Sequence, residues 1–194
     1  MSLYPVNDIM VSVCVVTYNH GKYIGNCLDH ILRQRRKFRI EILIHDDAST
    51  DGAQEVIRAY QKRYPDIIKP ILRVENQYSQ GITNISGAFN FPRAVGKYVA
   101  LTDGDDYWCD DYKLQRQVDY MEAHPKCGFT FHSAKVVTED GALVNGELMR
   151  PYHTSRVVKP AELVDKATGS PFASFLLRRE IVVKLPDYYV DCPV

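Results

Sequence analysis

Hydrophobic positions in the first 125 residues alternate between two patterns. Val11-Ser12-Val13-Cys14-Val15-Val16 is apolar at nearly every position, as in a strand covered on both faces of a parallel sheet. Thr17-Tyr18-Asn19-His20-Gly21 ends it. From Tyr23 to Gln34 the apolar residues recur at helical spacing, with Ile24, Cys27, Leu28, Ile31 and Leu32 on one face. A second apolar run, Ile40 to His45, stops at Asp46-Asp47-Ala48-Ser49-Thr50-Asp51-Gly52. Ser49, Thr50 or Asp51 is expected to cap a helix over Gln54 to Tyr64, which Pro65 closes. Ile71 to Val74 reads as a third strand, 75–81 as a polar loop, and 84–94 as a helix interrupted near Pro92. A further strand follows Gly96 and runs into Asp103-Gly104-Asp105-Asp106. A helix over 112–124 ends at Pro125.

This β-α-β-α order predicts an α/β fold with a mostly parallel central sheet and right-handed crossovers. After residue 125 the pattern changes. Strands are expected at 128–132 and 173–177, a short helix at 160–165, and a loop over 186–194. A hairpin is expected around Glu139-Asp140-Gly141, between 134–138 and 143–144. The chain reads as a single domain, 1–194. Residues 1–125 form its nucleotide-binding half and 126–194 shape the second substrate's site.

Composition narrows the function. The 194 residues carry 24 basic and 24 acidic side chains, so net charge gives no case for a nucleic-acid partner. The cluster Arg33, Arg35, Arg36, Lys37 and Arg39 reads as a solvated helix end, where cations suit the dipole. Five cysteines at wide spacing, with no C-x-x-C pair, argue against a disulfide framework and a zinc site. A reducing, cytoplasmic compartment follows, with the inner face of the membrane as a second location. No run of 18 apolar residues exists to form an integral membrane segment.

Three strand ends carry the candidate chemistry, and parallel order puts them on one edge: Thr17-Tyr18-Asn19, Asp46-Asp47, and Asp103-Gly104-Asp105-Asp106. Ligands of open α/β sheets bind at that edge. Tyr18 could stack on a nucleobase and Asp47 accept from it. Crowded carboxylates repel unless a cation separates them, so Asp103 or Asp105 could hold Mg²⁺ or Mn²⁺. An acidic turn is the plainer alternative. No G-x-G-x-x-G or G-K-[ST] pattern supports a dinucleotide fold or a P-loop. Trp108 is expected to pack at the core or rim, His132 to be structural, and Asp46 to fold back on its turn. Arg178-Arg179 are expected at a solvated strand end rather than on a diphosphate.

The three motifs together resemble a family 2 glycosyltransferase of the GT-A fold, a Rossmann-like three-layer α/β/α domain. Residues 11–19 resemble its opening strand, 41–52 its second strand and turn, and 96–108 its D-x-D stretch. Asp110-Asp111-Tyr112-Lys113-Leu114-Gln115 and Gln117 resemble a bacterial branch that modifies surface polysaccharides. The resemblance implies inverting transfer of a sugar, from a UDP-sugar by preference, to a saccharide or lipid-linked saccharide acceptor. It implies a nucleoside pocket lined by Thr17, Tyr18 and Asn19, with Asp47 on the base. Asp103 would lie near the ribose and metal, and Asp105 would be the main metal ligand. The family's general base is an acid placed about where this chain stops. Asp187 and Asp191 are the late candidates, Asp191 is assigned, and the expected position of the base lies beyond Val194. The alternatives are a non-catalytic nucleotide-sugar-binding module and a sugar nucleotidyltransferase, although the latter's basic, Gly-rich loop is missing after the first strand.

Overall fold

Burial on both faces of the first strand sets the architecture. A computed structural model describes residues 9–150, 152–159 and 170–184. Its strands are β1 (Ile9–Thr17), β2 (Arg39–Asp46), β3 (Ile68–Leu72), β4 (Tyr98–Asp103), β5 (Phe129–Thr130), β6 (Ala134–Val137), β7 (Leu143–Met149) and β8 (Leu176–Arg178). Its helices are α1 (Ile24–Leu32), α2 (Ala53–Arg63), α3 (Lys113–Ala123) and the short α4 (Arg179–Val182). Six strands form one sheet in the order β3-β2-β1-β4-β8-β5, and β6 and β7 form a separate hairpin. β1, β2, β3 and β4 are mutually parallel, whereas β8 runs antiparallel to both β4 and β5.

Side chains alternate between two cores, as the pleat requires. Val11, Val13, Val15, Ile42, Ile44, Tyr98 and Ala100 face one core, which the apolar stripes of α1, α2 and α3 complete. Cys14, Leu43, Val99 and Leu101 face the other, covered by Phe91, Ala94 and Val182. The result is the expected three-layer α/β/α arrangement.

Several expected boundaries move for identifiable reasons. The third strand occupies Ile68–Leu72 rather than 71–74. Among the described residues it pairs only with β2, and an edge strand tolerates Pro70, which has no N–H to donate. The helix expected over 84–94 is a π-helical turn, Ser86–Asn90, followed by a 3-10 turn, Phe91–Arg93. Pro92 lies in the first positions of that second turn. The strand expected at 173–177 begins at Leu176, after a 3-10 turn over Phe172–Ser174. Gly52, in the left-handed region, occupies the N-cap position of α2, and of the three expected capping side chains Asp51 serves the helix start, its Oδ1 accepting from the Ala53 amide at 3.1 Å. Arg178 lies at the strand edge away from the acidic cluster: it pairs with Tyr98, and its guanidinium donates to the carbonyls of Cys127 and Met121 at 2.8 Å each. The helix expected at 160–165 falls outside the described residues.

One buried charge fastens the entry to β4. Glu41, 1% exposed, accepts from Ser12 Oγ at 2.6 Å, Lys69 Nζ at 2.6 Å and the Val95 amide at 3.0 Å. Ser12 Oγ in turn accepts from the Gly96 amide at 2.9 Å. These bonds draw the chain before β4 directly against β1. A Cβ on Gly96 would sit 2.5 Å from Ser12 N and 2.8 Å from Val11 C, both backbone atoms of a central strand that cannot yield. Gly96→Ala is therefore expected to destabilise the fold by roughly 2 kcal/mol or more, as overpacking against a fixed backbone does. Urea unfolding checks this, with a lowered midpoint at unchanged slope as the expected result.

Candidate active site

Register places the polar strand ends. Thr17 pairs with Asp46, and Val16 pairs with Asp103, so the last residues of β2, β1 and β4 lie side by side. Tertiary bonds then fix the loops that leave them. The Thr17 carbonyl accepts from the Asp47 amide at 2.9 Å, and the Val16 carbonyl from the Gly104 amide at 2.8 Å. Asn19 and Ala48 both take left-handed backbone angles, φ 55° and 67°. The two loops are also joined across the gap, because the Asn19 amide donates to Ser49 Oγ at 2.8 Å and Asn19 Oδ1 accepts from the Thr50 amide at 2.9 Å. Asp51 Oδ2 accepts from the Gly21 amide at 2.7 Å.

The nucleoside candidates therefore differ in what they offer. Tyr18 is 47% exposed, with its ring free to stack. Thr17 is buried, and its Oγ1 has no hydrogen-bond partner among the described residues. Asn19 spends its carbonyl on the loop-to-loop bond. Asp46 folds back on its own turn as expected, accepting from Ser49 N at 3.0 Å and from Gln54 Nε2 at 2.7 Å. Asp47 is 2% exposed, and its two oxygens accept the Gln77 amide at 2.8 Å and the Tyr78 amide at 3.0 Å. It thus latches the polar loop that follows β3. Behind it, His45 Nε2 lies 3.4 Å from Asp47 Oδ1, and the His45 ring stacks on Phe89 at 4.5 Å. The Arg73 guanidinium lies 4.2 Å from the same Phe89 ring. Burial holds His45 below its usual pKa against the pull of Asp47. The sequence motifs did not reveal this group, since Arg73 and Phe89 come from segments without a motif of their own.

At the acidic end the charges are crowded and poorly compensated. Burial, then Asp106 and Asp105, push the Asp103 carboxyl up to about 7. Desolvation and Asp105 also raise Asp106, against which His20 pulls down. His20 Nε2 lies 3.8 Å from Asp105 Oδ2, while its Nδ1 is buried without a partner among the described residues. Gly104 opens the space between them: a Cβ there would lie 2.5 Å from Thr17 Oγ1 and 3.1 Å from His20 Nδ1. Crowded hard oxygens, two polar atoms without partners among the described residues and a cradle that a Cβ would fill fit a divalent cation. Among the described residues no three His, Cys, Asp or Glu side chains gather closely enough to hold a metal alone. A cation at Asp103 and Asp105 would need further ligands from a bound molecule. Asp191 and Asp187 fall outside the described residues.

Comparisons with known proteins bear on the family and the fold. The family model described as Glycosyl transferase family 2 matches residues 12–185. An uncharacterized protein of Mycobacterium tuberculosis is 42% identical over 136 residues, covering 68% of this chain and 37% of its own length. An uncharacterized glycosyltransferase of Nostoc sp. is 32% identical over 182 residues, covering 90% of this chain and 52% of its own. The chain thus spans about half or less of the length of these relatives. Among solved structures, TarS of S. aureus with UDP-GlcNAc superposes with TM-score 0.65 at 19% identity, covering 90% of this chain and 47% of TarS. Mannosyltransferase PcManGT of Pyrobaculum calidifontis, in complex with GDP-Man and Mn²⁺, gives TM-score 0.60 at 19% identity, covering 94% of this chain and 50% of that one. The likeness to both is one of fold. No helix among the described residues is long and apolar enough to cross a membrane.

The raised Asp103 carboxyl has a consequence for stability. Between its ordinary 3.8 and about 7 the folded chain keeps a proton that the unfolded chain releases, so stability falls as pH rises through that window. Asp103→Asn is expected to raise the melting temperature of the metal-free protein at pH 8 by about 2 °C or more, the shift that roughly 1 kcal/mol gives at this chain length. The gain should vanish near pH 4. Calorimetric melting of both proteins across that range checks it.

Proposed function

We infer, for a chain that belongs to glycosyl transferase family 2, an inverting, metal-dependent transfer of a sugar from a nucleotide-diphosphate sugar to an acceptor hydroxyl. The observation that carries this reading is the side-by-side placement of Thr17, Asp46-Asp47 and Asp103 to Asp106 at the carboxyl edge of β1, β2 and β4. The family makes the chain a transferase. UDP is the favoured nucleotide, in keeping with the UDP-GlcNAc complex of TarS, while the GDP-Man complex of PcManGT supplies the competing donor for the test. The acceptor is a saccharide, free or lipid-linked, and the setting is bacterial surface-polysaccharide synthesis at the cytoplasmic face of the membrane.

Each residue then has a task. Tyr18 lies against the base. Asp47 accepts the base N–H by exchanging it for the Gln77 or Tyr78 amide. Thr17 Oγ1, without a partner among the described residues, takes up a donor oxygen. Asp103 and Asp105 would hold Mg²⁺ or Mn²⁺, with Asp103 also near the ribose. That cation, when bound, supplies Lewis-acid stabilisation to the leaving diphosphate. An acid of the second half takes the acceptor's proton as the hydroxyl attacks from the face opposite the leaving group, and Asp191 is the candidate within this chain.

Calorimetry with UDP and GDP in the presence of Mn²⁺ tests the reading. Asp105→Ala should weaken metal-dependent nucleotide binding by about tenfold or more, that is 1.4 kcal/mol. Unchanged affinity would remove Asp105 as a ligand. Asp47→Asn should weaken UDP more than GDP, and equal losses would count against its contact with the base. Release of pyrophosphate from a nucleoside triphosphate, rather than nucleoside diphosphate from UDP-glucose, would point instead to a nucleotidyltransferase.

A further inference from the structure

Lys113 is the least expected buried residue in the chain. It opens α3, where a lysine would ordinarily reach into solvent and where the helix dipole disfavours a cation. Yet it is 4% exposed. Its Nζ lies 4.1 Å from the Trp108 ring and donates to Gln117 Oε1 at 2.9 Å. No carboxylate pairs with it in the described residues. A buried ammonium without a counter-ion costs several kcal/mol of desolvation, roughly, and the cation–π contact offsets only part of that.

The arrangement around it shows what the cation does. An ammonium is a donor only, so it fixes which end of the Gln117 amide is oxygen. Gln117 Nε2 is thereby turned to donate to the Ser174 carbonyl at 2.8 Å and to Thr130 Oγ1 at 3.2 Å. The other group that Lys113 touches, the Trp108 indole, donates to the Ala173 carbonyl at 3.0 Å. Two consecutive carbonyls are thus held by the two side chains in contact with this one amine. Ser174 closes the same turn onto the Pro171 carbonyl through its amide at 3.0 Å and its Oγ at 2.6 Å. The next carbonyl, Phe175, accepts from the Leu101 amide at 3.2 Å, two residues before Asp103.

We propose that Lys113 is a positioning residue that, through Gln117 and Trp108, holds the 171–175 segment as the acceptor-side wall beside the acidic end of β4. The proposal rests on the transferase reading for the wall's purpose, but the clamp itself can be tested without any substrate. Desolvation brings the Lys113 amine down to about 7, so the clamp should loosen as pH rises through neutrality. The other titratable groups near it are His132, which couples to it electrostatically, Asp110, paired with Arg116 at 2.8 Å, and His30, bonded to the Trp108 carbonyl at 2.8 Å.

The test uses the chain as it stands and its single tryptophan as a reporter. Wild-type Trp108 emission should show a titration step near neutral pH, and backbone exchange at 171–178 should speed up over the same step once corrected for intrinsic rates. Lys113→Met keeps the apolar stem and removes the donor. It should abolish the Lys-dependent step and accelerate exchange at 171–178 by roughly tenfold at pH 6, leaving β1 and β2 protected. Unchanged exchange at 171–178, or acceleration spread evenly over the whole sheet, would overturn the proposal. Should Lys113→Met fail to fold, Gln117→Met removes the bonds to Ser174 and Thr130, and the same exchange criterion decides. Failure of UDP and GDP to bind the wild-type chain would defeat the transferase reading without altering this result.

Discussion

The central constraint is the register of β1 between β2 and β4. Parallel strands place their carboxyl ends on one edge, but only a particular register makes those ends flush. Here Thr17 stands beside Asp46 and Val16 beside Asp103, so the three loops begin at the same height. Every candidate contact to a donor depends on that. A slip of one residue would turn each apolar side chain to the other core as well as moving the loops. The Glu41–Ser12–Gly96 bonds pin the opposite edge, near where β4 enters the sheet, so the register is held at both ends.

Much of this frame is legible in the sequence, because unbroken apolar runs and their acidic stops survive in any tertiary context. The stops of β1, β2 and β4 fall where Thr17, Asp46 and Asp103 predict. What the sequence conceals arises from pairing between distant segments. The third strand sits three residues earlier than its apolar run implies, since an edge strand needs only one partner and tolerates Pro70. Asp47 reads as a group facing ligand, yet it is engaged by the Gln77 and Tyr78 amides thirty residues away. Lys113 falls near the start of an expected helix, with no local sign of burial. Its burial depends on Trp108, Gln117 and the 171–175 turn meeting in space, which no local pattern encodes.

Charge is placed here with little regard for the apo protein's stability. Asp103, Asp105 and Asp106 repel one another at one end of β4, while Lys113, a short distance along the chain, is buried without a counter-ion among the described residues. Neither arrangement is what packing alone would select. Each is intelligible as preparation: the acidic group for a cation shared with a ligand, and the lysine for orienting an amide. Function of this kind is recognisable as local strain in a fold whose remaining interior is conventionally apolar.

The position of β8 bears on how such a chain can evolve. Between β4 and β5 in the sheet, β8 runs against its neighbours and seals the flank of the very strand that ends in Asp103. The segment up to residue 125 is therefore not a cassette. Cutting the gene near residue 125 would leave β4 with an open row of amides and carbonyls, a sticky edge suited to aberrant self-assembly. Variation is more readily accommodated in the loops around β8 than by shuffling whole second halves, because any replacement must also deliver an antiparallel strand to the same slot.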